Sequence, residues 1–345
     1  MNLEEFFKET DLEQCFLVGY YGGSNFGDEL LLEVLQNILK KIGVKHVSFY
    51  YSNPKIFPVY HHKYEYRLIK STPWNILKSV VKSKSILIGG GGLWGLDFNK
   101  NVALMSLLLF IAHYLLGKKV YLVGVGSYSS TSRLGRFFSK VAGVAANIIL
   151  ARDSETYGSF RRINKNTYQA SDIAFLLPTL DLSIYDAELN NYALTKLVDK
   201  YKTLTLVSTR NYNDRFSAST NTQIYHEALK GFLSHTKEHV VLLFLNASDF
   251  DPAISKYYFD LKTKYKSVVS IVEINTNPIL MFQFLHTYHS KIRIIAPQYH
   301  MQLLAHITGT RFLPLRYDNK NEQLFKQLEI KQFVSIGFVS SVDLE

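Results

Sequence analysis

The feature that most constrains this chain is a repeated succession of an apolar run, a glycine-bearing bend and a helical pattern. "CFLVGYYGG" leads into an amphipathic stretch over 28–41, and "SILIGGGGLWG" leads into an apolar helix at 101–116. "VYLVGVGSYSS" leads into 131–143, "NIILARDSE" into a short helix near 154–163, and "VSFYYS" at 47–52 adds a strand. Short apolar runs alternating with helical periodicity predict a parallel sheet covered by helices on both faces. From about residue 200 the succession restarts. "TLTLVSTR", "HVVLLFLNASD", "SVVSIVEIN", "KIRIIAPQYH" and "TRFLPLRYD" read as strands, with helical patterns over 222–236, 252–265, 278–288 and 300–309.

A chain of 345 residues is too long for one ordinary core, and two domains of about 150 residues each are expected. The fold class is therefore α/β, with two Rossmann-like domains, 1–178 and 200–345, facing each other across a cleft. The segment 179–199, entered through Pro178, is the expected linker. In open α/β sheets ligands bind beyond the carboxyl ends of the strands, where loops and helix N-termini converge. The residues just after each strand are thus the candidates.

Composition narrows the partners. The single cysteine, Cys15, excludes an internal disulfide framework and a cysteine-based metal cluster; it reads as a buried thiol in a reducing cytoplasm. The N-terminal "MNLEEFFKETDLEQ" has no basic stretch followed by an apolar one, so no secretory signal is expected and the location reads as cytoplasmic. A net charge of +10 attracts phosphorylated metabolites or an anionic membrane leaflet. No basic block is interleaved as nucleic-acid readers require, so nucleic acid is not an expected partner. The longest apolar segment, "VALMSLLLFIAHYLL" at 102–116, falls short of the ~20 residues that span a bilayer. It reads as a buried core helix, with peripheral membrane contact left open. The 14% aromatic content suits sheet cores and sugar-binding surfaces alike.

Gly89, Gly90, Gly91 and Gly92 let a backbone approach a ligand and aim its N–H groups at a phosphate or carboxylate. A tight strand-to-helix turn is the alternative. No G-K-[ST] follows, so this is not a nucleotide P-loop. Gly126, with Gly124, repeats the theme more weakly. Asp28 and Glu29 open a helix, either capping its N–H groups or accepting hydrogen bonds from sugar hydroxyls, and Asn25 serves either purpose. Arg152, directly after "NIILA", suits an anionic ligand or an ion pair, with Asp153 as a cap or orienting partner. His300 can move a proton near neutral pH, with His306 close by in sequence. Lys320 is a second candidate phosphate clamp, and Arg210 and Asp249 sit at analogous strand ends. The 11 histidines are scattered without metal-ligand spacing, so no metal is expected. No G-x-S-x-G elbow is present, which disfavours a serine hydrolase.

In order, "GYYGGSNFGDELLL", "ILIGGGGL", "LVGVGSYSS", "ARDSETY", "ASDIAFLLP" and a late "RYDNK" make the chain similar to the polysaccharide pyruvyl transferase family, over residues 16 to about 330. The resemblance implies a fold of the glycosyltransferase B type. It also implies transfer of a pyruvyl group from phosphoenolpyruvate, as co-substrate and with no further cofactor, onto two hydroxyls of a sugar. The product is a cyclic ketal of a cell-envelope polysaccharide. Carried over residue by residue, the family's anion-binding arginine falls on Arg152, its catalytic histidine on His300, its late lysine on Lys320 and its opening aspartate on Asp28. One position departs: where the family has an arginine two residues before the histidine, this chain has Gln298. Arg316 and Arg293 are the candidates to replace its charge. The departure keeps open a relative of the same fold that uses a nucleotide-sugar donor. A third reading is a non-catalytic carbohydrate- or membrane-binding protein. The charge and the aromatics fit a lipid-linked acceptor met at the inner face of an anionic membrane.

Overall fold

A computed structural model of the chain describes residues 1–22, 25–44, 46–51, 67–70, 72–94, 100–127, 132–209, 220–245, 252–273 and 278–344. It divides into two units, Met1–Leu180 and Asp181–Glu345, each built on its own parallel sheet.

The first unit begins with α1 (Leu3–Glu9), β1 (Gln14–Val18), α2 (Phe26–Lys41), β2 (His46–Tyr51) and β3 (Arg67–Lys70). It continues with α3 (Pro73–Lys82), β4 (Ser85–Gly89), β5 (Gly92–Trp94), α4 (Lys100–Tyr114) and β6 (Lys119–Ser127). Then come α5 (Arg133–Ala145), β7 (Ile148–Ala151), α6 (Ser154–Arg161), β8 (Thr167–Gln169) and a 3-10 segment, Ile173–Thr179. Among the described residues the strand order is β3-β2-β1-β4-β6-β7-β8, with β5 beside β6 and all pairs parallel.

Strands buried on both faces read as continuous apolar runs, and alternate residues of these runs divide between the two helix layers. Phe16, Ile86, Ile88 and Leu122 pack with Val80 of α3, Leu109 of α4, Ala142 of α5 and Phe160 of α6. On the other face Leu35 of α2 lies against Gly89 and Leu17. Helix α2 is well specified: Asn25 caps it, Asp28 and Glu29 sit in its first turn, and Lys40 and Lys41 sit in its last. Cys15 is buried in β1, and burial pushes its thiol up to about 12.

Helix α4 corrects an expectation. Ala103, Ser106, Leu109 and Ala112 face inward, but Leu104, Leu107, Phe110, Ile111 and Tyr114 are exposed, so this is not a buried core helix. The sheet covers only its inner side and α5 flanks it, and no described residue buries the outer stripe.

The second unit opens with a 3-10 turn (Ser183–Tyr185), α7 (Asp186–Asn191), α8 (Ala193–Tyr201), β9 (Leu204–Thr209) and α9 (Thr220–His235). It proceeds through β10 (His239–Phe244), α10 (Pro252–Lys264), β11 (Val269–Glu273), α11 (Pro278–Tyr288) and β12 (Ile292–Ile295). It ends with α12 (Tyr299–Thr308), β13 (Arg311–Phe312), β14 (Leu315–Arg316), α13 (Asn319–Gln327) and β15 (Val334–Ser335). The parallel order is β11-β10-β9-β12-β13, and β14 pairs separately with β15. The core gathers Val207, Val240, Leu242 and Phe244 with Tyr225, Leu229 and Tyr258.

Two sequence expectations differ here. "TRFLPLRYD" forms two short strands, because Pro314 has no N–H to offer a ladder; its carbonyl instead accepts from the Val334 N–H at 3.0 Å. The stretch 179–199, read as a linker, is largely helical, and from Asp181 onward it belongs to the second unit. There the Gln283 side chain of α11 donates to the Leu182 carbonyl at 2.7 Å.

Candidate functional site

In the first unit the candidates gather at the carboxyl ends of β1, β4, β6 and β7. The chain leaves β1 through Gly19 and places two tyrosines in opposite directions. Tyr20 is 57% exposed, whereas Tyr21 turns inward and donates its hydroxyl to the Gly89 carbonyl at 2.7 Å. Burial, and after it the charge of Asp28, holds the Tyr21 hydroxyl well above the ordinary phenol range, so it acts as a donor. Asn25 accepts the Gly27 N–H at 3.1 Å, and buried Glu29 accepts the Gly22 N–H at 2.7 Å. Both side chains therefore shape the bend into α2. Asp28 is half-buried in the same first turn.

The glycine cluster is explained in part by this bend. A β-carbon on Gly89 would lie 2.1 Å from Leu35, and one on Gly90 2.5 Å from Leu31. Gly90 also has φ +72°, open to glycine at little cost. Gly91 offers its carbonyl to the Gly126 N–H at 2.8 Å, and Gly92 begins β5 opposite Gly126. Gly89 and Gly90 thus let α2 approach the sheet, while Gly91 and Gly92 join the ends of β4 and β6.

Gly126 is small for another reason: a β-carbon there would meet the Arg152 Nε at 2.7 Å. The Arg152 guanidinium crosses this strand end and is only 5% exposed. Its Nη1 donates to the Asp172 Oδ2 at 3.2 Å, and its Nε lies 3.8 Å from the Asp153 Oδ2. Asp172 is fully buried, and its other oxygen accepts the Ala174 N–H at 3.0 Å. Of the two roles open to Arg152, the geometry displays the ion pair, and a buried one. Asp153 caps α6 through the Thr156 N–H at 2.8 Å. Asp172 was not singled out from sequence, although its place as an Asp before the helical "IAFLLP" is a recognisable cap signal.

The second unit holds His300 and Lys320. His300 is the second residue of α12, half-buried, with its ring edge-on to Tyr299 at 5.0 Å between centroids. Lys320 is the second residue of α13; its ammonium lies 3.6 Å from the Asp318 carboxylate and 5.3 Å from the Tyr317 ring centre. The two first turns are tied together by buried amides that sequence reasoning missed. The Asn321 Nδ2 donates to the Pro297 carbonyl at 2.9 Å, and the Gln302 Nε2 bridges the Pro297 and Leu315 carbonyls at 3.2 and 2.7 Å. His306 lies on the last turn of α12 and is exposed.

Gln298, at the departing position, is buried. It accepts from the Ser208 hydroxyl and donates to the Thr209 carbonyl at 3.4 Å, which fastens the β12–α12 bend to the end of β9. Its side chain therefore makes no cap on α12. Of the arginines suggested as substitutes, Arg316 lies 3.5 Å from Glu322, and Arg293 is within β12 beside Thr205 and Arg311. Arg210 and Asp249 lie outside the described residues. Among the described residues no group of three His, Cys, Asp or Glu side chains is placed to hold a metal ion.

Solved structures share this architecture. UDP-GlcNAc 2-epimerase from Methanocaldococcus jannaschii superposes with a TM-score of 0.62 at 10% identity, over 96% of this chain and 89% of its own. A putative UDP-N-acetylglucosamine 2-epimerase from Listeria monocytogenes gives 0.58 at 12% identity, over 97% and 86%. A glycosyltransferase from Rickettsia africae gives 0.52 at 11% identity, over 92% and 87%. Likeness at such identity shows the fold alone, two Rossmann-like domains of the glycosyltransferase B type. No protein of curated function matches the chain by sequence. The family model for polysaccharide pyruvyl transferase, in contrast, matches residues 25–319, from the cap of α2 to the start of α13. That span takes in the glycine cluster, the Arg152–Asp172 pair and His300, and the chain belongs to the polysaccharide pyruvyl transferase family.

Proposed function

We propose that the protein transfers a pyruvyl group from phosphoenolpyruvate onto two hydroxyls of a sugar in a polysaccharide or its precursor, closing a cyclic ketal and releasing phosphate. Beyond family membership, the observation that carries this reading is the pair of first turns bearing His300 and Lys320, held together by Asn321 and Gln302.

Phosphoenolpyruvate brings a phosphate and a carboxylate. The N–H groups of a helix's first turn suit a phosphate. Helix α12 has no side-chain cap because Gln298 is engaged with β9. Lys320 adds a compact positive charge. His300 protonates the methylene carbon of the donor, which makes the central carbon electrophilic. The first sugar hydroxyl adds there, phosphate departs, and the second hydroxyl closes the ketal. Of the two hydroxyl protons, one restores His300 and the other leaves with phosphate. Arg152, committed to Asp172, is assigned to holding the strand ends around Gly126.

The test is acceptor-dependent phosphate release from phosphoenolpyruvate across a panel of glycans. His300→Ala is expected to lower turnover by about 10²–10⁴-fold while sugar binding persists. Turnover unchanged in that variant overturns the assignment. A second reading, a nucleotide-sugar donor, is favoured by the neutral Gln298; consumption of such a donor, with phosphoenolpyruvate untouched, would select it.

A further inference from the structure

We propose that the outer face of α3, α4 and α5 docks on an anionic lipid bilayer. Most of the exposed large apolar side chains among the described residues lie on these three helices and the turn after α4. They include Trp74 and Leu77 on α3, Leu104, Leu107 and Phe110 on α4, and Phe137 on α5. The helices form one continuous face. Their inner sides pack on the same side of the sheet, the Lys118 ammonium donates to the Val81 carbonyl at 2.8 Å, and the Tyr114 hydroxyl reaches the Val144 carbonyl at 3.4 Å.

An apolar face of this extent on three neighbouring helices marks an interaction surface, and its charge selects the partner. The three helices contain no Asp or Glu. Lys78, Lys82, Lys100, Arg133, Arg136 and Lys140 are exposed on them. A second copy of this chain is disfavoured, because a two-fold contact sets the same patch against itself and would oppose cation to cation. Anionic headgroups complement those cations, and acyl chains receive the aliphatic and aromatic side chains between them. No helix among the described residues is long and apolar enough to cross a membrane, so the mode is lying on the surface. Helices α4 and α5 start at the sheet end that carries Gly89–Gly92 and Gly126, so the face borders the candidate site. The inference rests on this surface and not on the donor chemistry.

The test is sedimentation of the full chain with phosphatidylcholine vesicles, with and without phosphatidylglycerol. Binding is expected only with the anionic lipid at low salt, and release at high salt. The chain has two tryptophans. Trp94 is 1% exposed and Trp74 63%, so a blue shift of emission on binding reports Trp74. Lys78→Gln and Lys140→Gln should each weaken partitioning about fivefold. Leu107→Ser and Phe137→Ser should each weaken it roughly tenfold, with thermal unfolding unchanged because both side chains are exposed. Absence of binding to anionic vesicles at low salt overturns the proposal. So does a dimer that Leu107→Ser and Phe137→Ser dissolve in a protein that vesicles do not retain.

Discussion

Burying Arg152 and Asp172 strips two charges of water, and their mutual contact offsets a cost of several kcal/mol per ion. Removing one partner leaves the other charge buried alone. Asp172→Ala is accordingly expected to lower the stability of the first unit by about 3–5 kcal/mol, read from denaturant unfolding. A loss below about 1 kcal/mol, the range of an exposed pair, would contradict the burial described. The pair also shows what one sequence conceals. Arg152 at a strand end was legible, and so were the caps Asn25 and Asp153, because a cap acts within three residues of its own helix. The partner of Arg152 lies 20 residues away and meets it only because β7 and β8 pair. The reason for Gly126 was hidden likewise, since its constraint is the Arg152 side chain rather than its own turn.

Helix boundaries in the repeated strand–bend–helix units came out of the sequence closely, α11 at 278–288 among them, because periodicity and capping are local. The short strands β3, β5 and β8 escaped, since runs of three or four residues carry no period; the ten-residue α3 escaped although Thr72 caps it and Pro73 opens it, a start signal that was there to be read. The exposure of α4 escaped too: a helix apolar on all sides reads as buried, and its uncovered side depends on which elements flank it. Between α9 and α10 the sequence likewise held no hint of a half-buried imidazole. The His226 ring stacks on Tyr257 at 3.8 Å, and the Tyr257 hydroxyl donates to the His226 carbonyl at 2.8 Å. Burial, and after it the charge of Lys230, pushes His226 down to about 4 from an ordinary 6.5. The folded state therefore holds this ring neutral, and the unfolded chain binds the proton first. Its contribution is complete above pH 6.5 and is lost as pH falls toward about 4, a change of about 3 kcal/mol. His226→Phe should keep the stack and remove this part of the acid sensitivity of the second unit. Equal pH slopes in the two proteins would contradict the assignment.

Taken as one molecule, the chain is a member of the polysaccharide pyruvyl transferase family whose two units each present candidates at the carboxyl ends of their strands. Asn25, Asp28, Glu29 and the glycine cluster belong to the first; His300, Lys320 and Gln298 belong to the second. The central claim is that the donor is phosphoenolpyruvate in spite of the neutral Gln298. Arg152 is a poor probe of that claim, because truncating a buried ion-pair partner disturbs the fold. Lys320 is partly exposed at the head of α13, so Lys320→Ala removes a charge without opening the core. The most direct measurement is calorimetric titration of the purified protein with phosphoenolpyruvate, beside Lys320→Ala and a nucleotide sugar. Saturable binding of phosphoenolpyruvate, weakened about tenfold or more in the variant and absent for the nucleotide sugar, is the predicted result. Saturable heat from the nucleotide sugar with none from phosphoenolpyruvate would contradict it.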